Sequence, residues 1–185
     1  MQITSIRLYK PAILRMTAEA NRERARALMK GSISAEQMVR WLNGDRLIFN
    51  ANNPLLYDAG TIGTMNGFGA LLNSGFMEFW TGTQPAIDVA LTGTKIAKLT
   101  FGASAFASAT ASGSGGSMSA NAITSATALN TNTAGYFSLM ESNDTTVVAT
   151  GSVGTSGADI NMSSLSISSG ANVSCSSFVV TMPQT

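Results

Sequence analysis

A mainly β, antiparallel fold with a short helical region in front of it is what this sequence predicts. Three observations lead there. From Gly75 onward, short runs of aromatic and branched residues alternate with clusters of Gly, Ser, Thr and Asn, at spacings of about ten to twenty residues. Helical periodicity is confined to the first 75 residues. The later runs are joined by turns, not by the helical patterns of βαβ units. Seven or eight short antiparallel strands with long crossing connections fit a jelly-roll-like sandwich best, with an immunoglobulin-like sandwich as the alternative. The chain then divides into a helical N-terminal anchoring region, residues 1–75, and a β domain, residues 76–185.

The N-terminal elements follow in order. Met1–Lys10 alternates enough to be a short strand or an extended arm. Pro11 suits a first helical turn, where its missing N–H is unpaired anyway. Ile13–Lys30 reads as helix, with Glu19 and Glu23 facing Arg22 and Arg26 at three- and four-residue spacing. Ser34-Ala-Glu-Gln37 is a capping box for a second helix, from Ala35 to about Leu42. Arg46–Asp58 reads as a short apolar strand, a turn at Asn53-Pro54, and a second apolar run at Leu55–Tyr57. Thr61–Ser74 keeps Met65, Phe68, Leu71 and Leu72 at helical spacing, weakened by glycine. An ordinary packing helix beneath the sheet is the preferred reading of it, and a subunit contact the alternative.

Strands are expected at Gly75–Trp80, Lys95–Phe101, Gly116–Ala122, Gly135–Glu141, Thr146–Gly151, Asp159–Ile167 (as one or two pieces) and Asn172–Met182. Phe76, Glu78 and Trp80 alternate with Met77 and Phe79, which places Glu78 on an outer or interfacial face. Asn143-Asp144 is a hairpin turn. In the last strand Val173 and Cys175 share a face, and so do Phe178, Val180 and Met182. The three-residue step between the sets predicts a β-bulge at Ser176-Ser177. Ala103–Gly116 reads as a long, weakly ordered loop or an ordered one lying on a neighbouring subunit, and Ala126–Thr133 as a second, exposed polar loop.

Composition narrows the functional classes. Only 11% of the 185 residues are charged, against about 25% in ordinary soluble proteins. Residues 1–60 hold nine Lys/Arg and five Asp/Glu, net +4, and residues 61–185 hold two and five, net −3. From Leu99 to Met140 there is no charge. A surface of Ser, Thr, Gly, Ala and Asn suits a protein packed against neighbours. The chain has no histidine, which removes Ser-His-Asp and Cys-His catalysis. A single cysteine, Cys175, allows no intrachain disulfide and is expected to be buried. No apolar run follows Met1–Pro11 as a secretory leader would require, and none is long enough to span a membrane as a helix.

Motifs that carry chemistry are few. Gly113–Gly116 and Gly151–Gly157 lack the Gly-Lys-Ser/Thr ending of a phosphate loop and read as turns. Glu141, Asp144 and Asp159 are candidates for a carboxylate pair or a Ca²⁺ site, without the spacing of either. Trp80, Tyr136 and Phe79 are candidates for a sugar-binding platform. Arg22, Arg24, Arg26 and Lys30 could contact nucleic acid, but acids interleave and no aromatic platform accompanies them.

Several segments carry a resemblance. Trp80-Thr-Gly-Thr-Gln-Pro-Ala86, Ala90-Leu-Thr-Gly-Thr94, Gly135-Tyr-Phe-Ser-Leu139, Asp144-Thr-Thr-Val147, Gly151–Ala158 and Val173-Ser-Cys-Ser-Ser-Phe178 resemble a family of small proteins of tailed bacteriophages and prophages. The resemblance covers about Gly67 to Pro183. It implies a virion structural protein with an all-β domain, and its motifs are turns and strands, not a catalytic site. The expectation is a non-enzymatic component, capsid decoration or neck and tail, made in the host cytoplasm and carried in the virion. Its partners would be copies of itself and capsid, portal or tail proteins, with no membrane, nucleic acid, metal or cofactor. The alternative is a host-surface, carbohydrate-binding module on the tail. Assembly contacts are assigned to Arg22, Arg26 and Lys30 in the basic hairpin, and to Phe68, Leu71 and Leu72 in the helix before the β domain.

Overall fold

The computed structural model describes residues 2–3, 7–8, 54–86, 89–112 and 115–183. The expected helical hairpin over Ile13–Leu42 and the apolar run at Leu47–Phe49 lie outside the described residues. Two short strands open the chain, β1 (Gln2–Ile3) and β2 (Arg7–Leu8). Helix α1 spans Pro54–Leu71. The strands that follow are β3 (Phe76–Trp80), β4 (Lys95–Phe101), β5 (Thr110–Ser112), β6 (Gly115–Ser119), β7 (Ile123–Thr124), β8 (Ala126–Thr127) and β9 (Asn132–Thr133). Then come β10 (Tyr136–Met140), β11 (Val147–Gly154), β12 (Ile160–Asn161), β13 (Ser166–Ile167), β14 (Asn172–Val173) and β15 (Val179–Pro183). Among the described residues the fold is therefore mainly β, with one helix.

The helix begins earlier than the sequence suggests. Leu55–Tyr57, expected as a separate apolar run, forms its first turn. Pro54 explains this, because a proline preset to helical φ is well placed to start a helix. Glycines inside the helix weaken it by roughly 1 kcal/mol each. Packing offsets that loss: Gly69 lets the helix approach Phe106, whose Cβ would stand 3.4 Å from any added methyl. Past the helix, Ser74 takes a left-handed φ of 55°. Gly75 N–H then donates to the Leu72 carbonyl at 2.9 Å, and the chain turns into β3.

Two main sheets form. The larger has seven strands, in the order β12-β11-β10-β3-β4-β7, with β2 also pairing β11. The smaller runs β1-β15-β6-β5. Most pairings are antiparallel, but β1–β15 and β11–β12 are parallel. Backbone pairing of the first ten residues therefore reaches both sheets: Gln2 and Ile3 lie beside Val179 and Val180, and Leu8 and Arg7 beside Ala149 and Thr150.

The register of the central strands separates two faces. Met77 pairs with Leu139 and Leu99, and Phe79 with Phe137 and Ala97. All six are buried. Together with Phe68 of α1, they join one apolar cluster. Phe178, just before β15, is its hub, with ring centroids 5.7 Å from Phe106, 6.4 Å from Phe101 and 6.5 Å from Phe137. Phe106 meets Phe68 edge-on at 6.1 Å. Such pairs add about 0.5–1.5 kcal/mol beyond their burial.

Three expectations fail for one reason, which is strand pairing that the local sequence pattern does not announce. Ala103–Gly116 is not a loose loop: Phe106 bridges Ala120, and Thr110–Ser112 pairs with Gly115–Ser117. Asn66 and Asn73 hold this segment through their Oδ1 atoms, which accept from the Ala109 and Ala105 N–H groups. Ala126–Thr133 is not a free loop either, since β8 pairs β14 and β9 pairs β13. The bulge predicted at Ser176-Ser177 is a complete break. Asn172–Val173 pairs with β8 in a separate two-stranded sheet, while Val179–Pro183 joins the smaller main sheet beside β6. A short strand gains more from a partner than from a continuous path.

Removing the hub tests this packing. Phe178→Ala should lower unfolding stability by about 3–5 kcal/mol in urea titration. A loss below about 1 kcal/mol would show that Phe178 does not organise the core.

Candidate functional site

The other face of the large sheet is polar, and it is the most unusual feature of the molecule. A row runs across four strands: Thr150, Ser138, Glu78 and Lys98. The first three are fully buried. A parallel row holds Ser152, Tyr136, Trp80 and Lys95. A register shift between Phe79 and Trp80 sets Lys95 opposite Trp80.

These residues form one connected network. Trp80 Nε1–H donates to Ser138 Oγ at 3.0 Å. Ser138 Oγ–H donates in turn to Glu78 Oε2 at 3.4 Å. Lys95 Nζ donates to Glu78 Oε1 and stands 5.2 Å from the Trp80 ring centroid. Gln84 Nε2 donates to Thr150 Oγ1 at 3.1 Å. Tyr136 stacks against Trp80 at 6.3 Å with planes 11° apart. Its hydroxyl donates to the Thr92 carbonyl at 2.5 Å and accepts from the Thr92 N–H at 3.0 Å. The 81–94 connection is thereby pinned to the polar face.

A second ion pair borders the first. Lys98 Nζ donates to Asp144 Oδ2 at 2.6 Å and lies 3.7 Å from the Phe76 ring centroid. Asp144 holds a left-handed φ of 60° in the β10–β11 turn. Asn143 Oδ1 fixes that turn by accepting from the N–H groups of Thr145 and Thr146. Burial pushes the Glu78 carboxyl above its usual range, and Lys95 counters only part of the effect. Slight burial also pushes Asp144 upward, but the Lys98 hydrogen bond and both lysine charges outweigh it, leaving Asp144 below its usual range.

The remaining carboxylate candidates have structural partners. Asp159 is buried, and its Oδ2 accepts from Ser152 N–H at 2.9 Å and Ser152 Oγ–H at 2.8 Å. Among the described residues, no group of three or more His, Cys, Asp or Glu side chains is placed to hold a metal ion. The sugar platform is split: Trp80 and Tyr136 lie on the polar face, whereas Phe79 points into the apolar core. Phe68, Leu71 and Leu72 are buried in the chain's own core, at 2%, 9% and 0% exposure. That leaves them almost no surface to offer a partner. Arg22, Arg26 and Lys30 lie outside the described residues.

A second feature was not foreseen from sequence. A cleft of about 530 Å³ opens along the segment 160–177. Phe79, Ile160, Ile167 and Val173 give it an apolar floor, serines form its rims, and no charged residue lines it. Cys175, expected to be buried, is half-buried there, and burial raises its thiol pKa. Glu78 was expected on an outer or interfacial face. Its mid-strand position among apolar neighbours was the available signal for something stranger, but only the register reveals Lys95 as its partner.

Comparison of the chain with protein-family models, with curated proteins and with solved structures finds no match.

The polar network has a pH signature. The fold holds the Glu78 proton more tightly than the unfolded chain does. Its stabilising effect is full below the ordinary value of 4.5 and falls as pH rises through the raised folded value. Asp144 acts in the opposite sense: its effect is present above the ordinary 3.8 and is lost as pH falls through the lowered folded value. Glu78→Gln should therefore gain stability relative to wild type as pH rises above 4.5, measured by urea unfolding across that range. A difference that does not change with pH, or that moves toward Glu78, contradicts the assignment. Lys95→Met should cost about 3 kcal/mol at neutral pH by leaving Glu78 buried without its cation.

Proposed function

We propose that this chain is a non-enzymatic structural protein of a tailed-bacteriophage particle, acting by subunit packing through a jelly-roll-like β domain. It would decorate or cement the capsid, or sit at the neck or tail. The observation that carries this reading is where the charges go. The described side chains of the β region include six charges: Glu78, Lys95, Lys98, Glu141, Asp144 and Asp159. Four of them form the two ion pairs, and Asp159 is buried. The surface left to meet other molecules is made mostly of Ser, Thr, Ala, Gly and Asn. Such a surface can be buried against a neighbour without stripping water from charges, which is the expensive part of forming an interface.

The two-sheet arrangement supports the jelly-roll-like part of the reading, and the phage context rests on the sequence resemblance. Partners are then copies of the chain itself and capsid, portal or tail proteins. The carbohydrate-binding alternative has less to stand on, since its three aromatics do not share a face and Tyr136 is fully buried. No residue is assigned a catalytic role: the candidate carboxylates have partners within the fold.

Deleting the chain from the phage that encodes it should yield particles that lose genome on mild heating, and wild-type particles should show symmetric density for it by cryo-EM. Particles that lack the chain altogether would contradict the proposal. Robust particles that fail to adsorb after deletion would favour the host-binding reading.

A further inference from the structure

The start of the chain adds a strand to each main sheet, and each sheet holds together without it. β15 is joined to β6 along Val179–Pro183, and Phe178 anchors its beginning among the core rings. β11 is joined to β10 from Val147 to Ser152. Ala149 and Val180 both belong to the buried apolar cluster. Against these edges, among the described residues, the N-terminal segment pairs only through Gln2 and Ile3, beside Val179 and Val180, and through Arg7 and Leu8, beside Thr150 and Ala149. A firmly built acceptor thus meets a lightly held donor.

The acceptor has two parts, each with a set direction. β15 takes β1 in parallel, and β1 is the last strand of its sheet. β11 takes β2 antiparallel. Further along, β11 pairs β12 at Val153 and Gly154, which leaves Ala149–Thr150 to β2. The four peptide steps from Ile3 to Arg7 reach at most about 14 Å, so the two edges open close together and one short segment fills both. Each pairing alone is too short to hold a strand, but once one half is seated the other docks at high effective concentration. Ile3, Thr4 and Ile6 are β-branched, which favours extended chain. In sequence, residues 9–53 separate this segment from α1, so no short connection ties it to the helix.

We propose that the outer edges of β15 and β11 form a two-part acceptor for an extended peptide strand, and that residues 1–8 are its ligand: a strand donor, held without covalent help, that the same segment on a separate molecule can replace. Main-chain pairing supplies the affinity, and the parallel and antiparallel halves fix which end lies on which sheet. The inference does not depend on the subunit-packing reading, which is decided by particles and not by this site.

Fluorescence anisotropy with a labelled Met1–Leu8 peptide tests it, on full-length wild type and on the full-length double variant Ile3→Pro/Leu8→Pro. Proline removes a backbone donor from each short strand and so displaces the chain's own segment. The peptide should bind the variant at least about tenfold more tightly than wild type, where the resident segment competes. A scrambled peptide of the same composition should not bind. By hydrogen exchange, the variant should lose protection at residues 149–150 and 179–180 and regain it when peptide is added. Equal binding to both chains, no binding to the folded variant, or protection that the peptide does not restore overturns the proposal. So does a variant that circular dichroism shows to be unfolded, because the segment is then integral to the fold and not a separable strand.

Discussion

Five residues, Phe76 to Trp80, must satisfy two interiors at once. Their period of two sends Met77 and Phe79 into the aromatic core, and Phe76, Glu78 and Trp80 to the polar face. The flanking strands β10 and β4 obey the same alternation in register, so the division extends across the sheet. A slip of one residue would drive Glu78 into the Phe178 cluster and turn Phe79 toward Lys95. Neither outcome is tolerable, so this pairing fixes the sheet and everything packed on it. Gly135 shows how tightly the strand is held at its end: a Cβ there would run into the Gly82 carbonyl oxygen.

Keeping a carboxylate buried is costly, and the chain surrounds Glu78 with compensation. Lys95 supplies charge, and Ser138 supplies a hydrogen bond that is itself oriented by Trp80. Replacing such a group by an apolar residue is often neutral or stabilising in proteins. Its retention here coincides with a register that only one pairing of β3 can satisfy. A buried polar row of this kind favours a unique alignment in a chain whose Ser- and Gly-rich strands would otherwise slide. The same arrangement buries Glu78 and ties Lys95 to it, while the surface pair Lys98 and Asp144 neutralise each other, so little unpaired charge is left on this part of the surface.

Much of the strand pattern was legible in the sequence. Lys95–Phe101 appears as read, and Phe76–Trp80, Tyr136–Met140 and the Asn143-Asp144 turn fall within a residue or two of expectation. These segments have strong alternation and local turn chemistry. What was misread lacks both. Thr110–Ser112, Ala126–Thr127 and Asn132–Thr133 are short and uncharged; the first is a strand only by pairing with the nearby Gly115–Ser117, and the other two only through partners tens of residues away. Phe68, Leu71 and Leu72 showed the right helical face, but the sequence could not say that Phe106 would occupy it. The ion pair of Glu78 and Lys95 and the cleft at 160–177 depend on register and on chain crossings, which periodicity does not encode.

The central claim is that this chain meets its neighbours through uncharged surface. Its self-association constant should be measured as a function of sodium chloride, from about 0.05 M to about 1 M, a range over which screening of exposed charges becomes nearly complete. The account predicts a constant that stays flat or strengthens with salt, because burial of neutral surface does not weaken on screening. A constant that falls steeply with salt, or a chain that never associates, would contradict it and would move the contact to charged groups outside the neutral β surface.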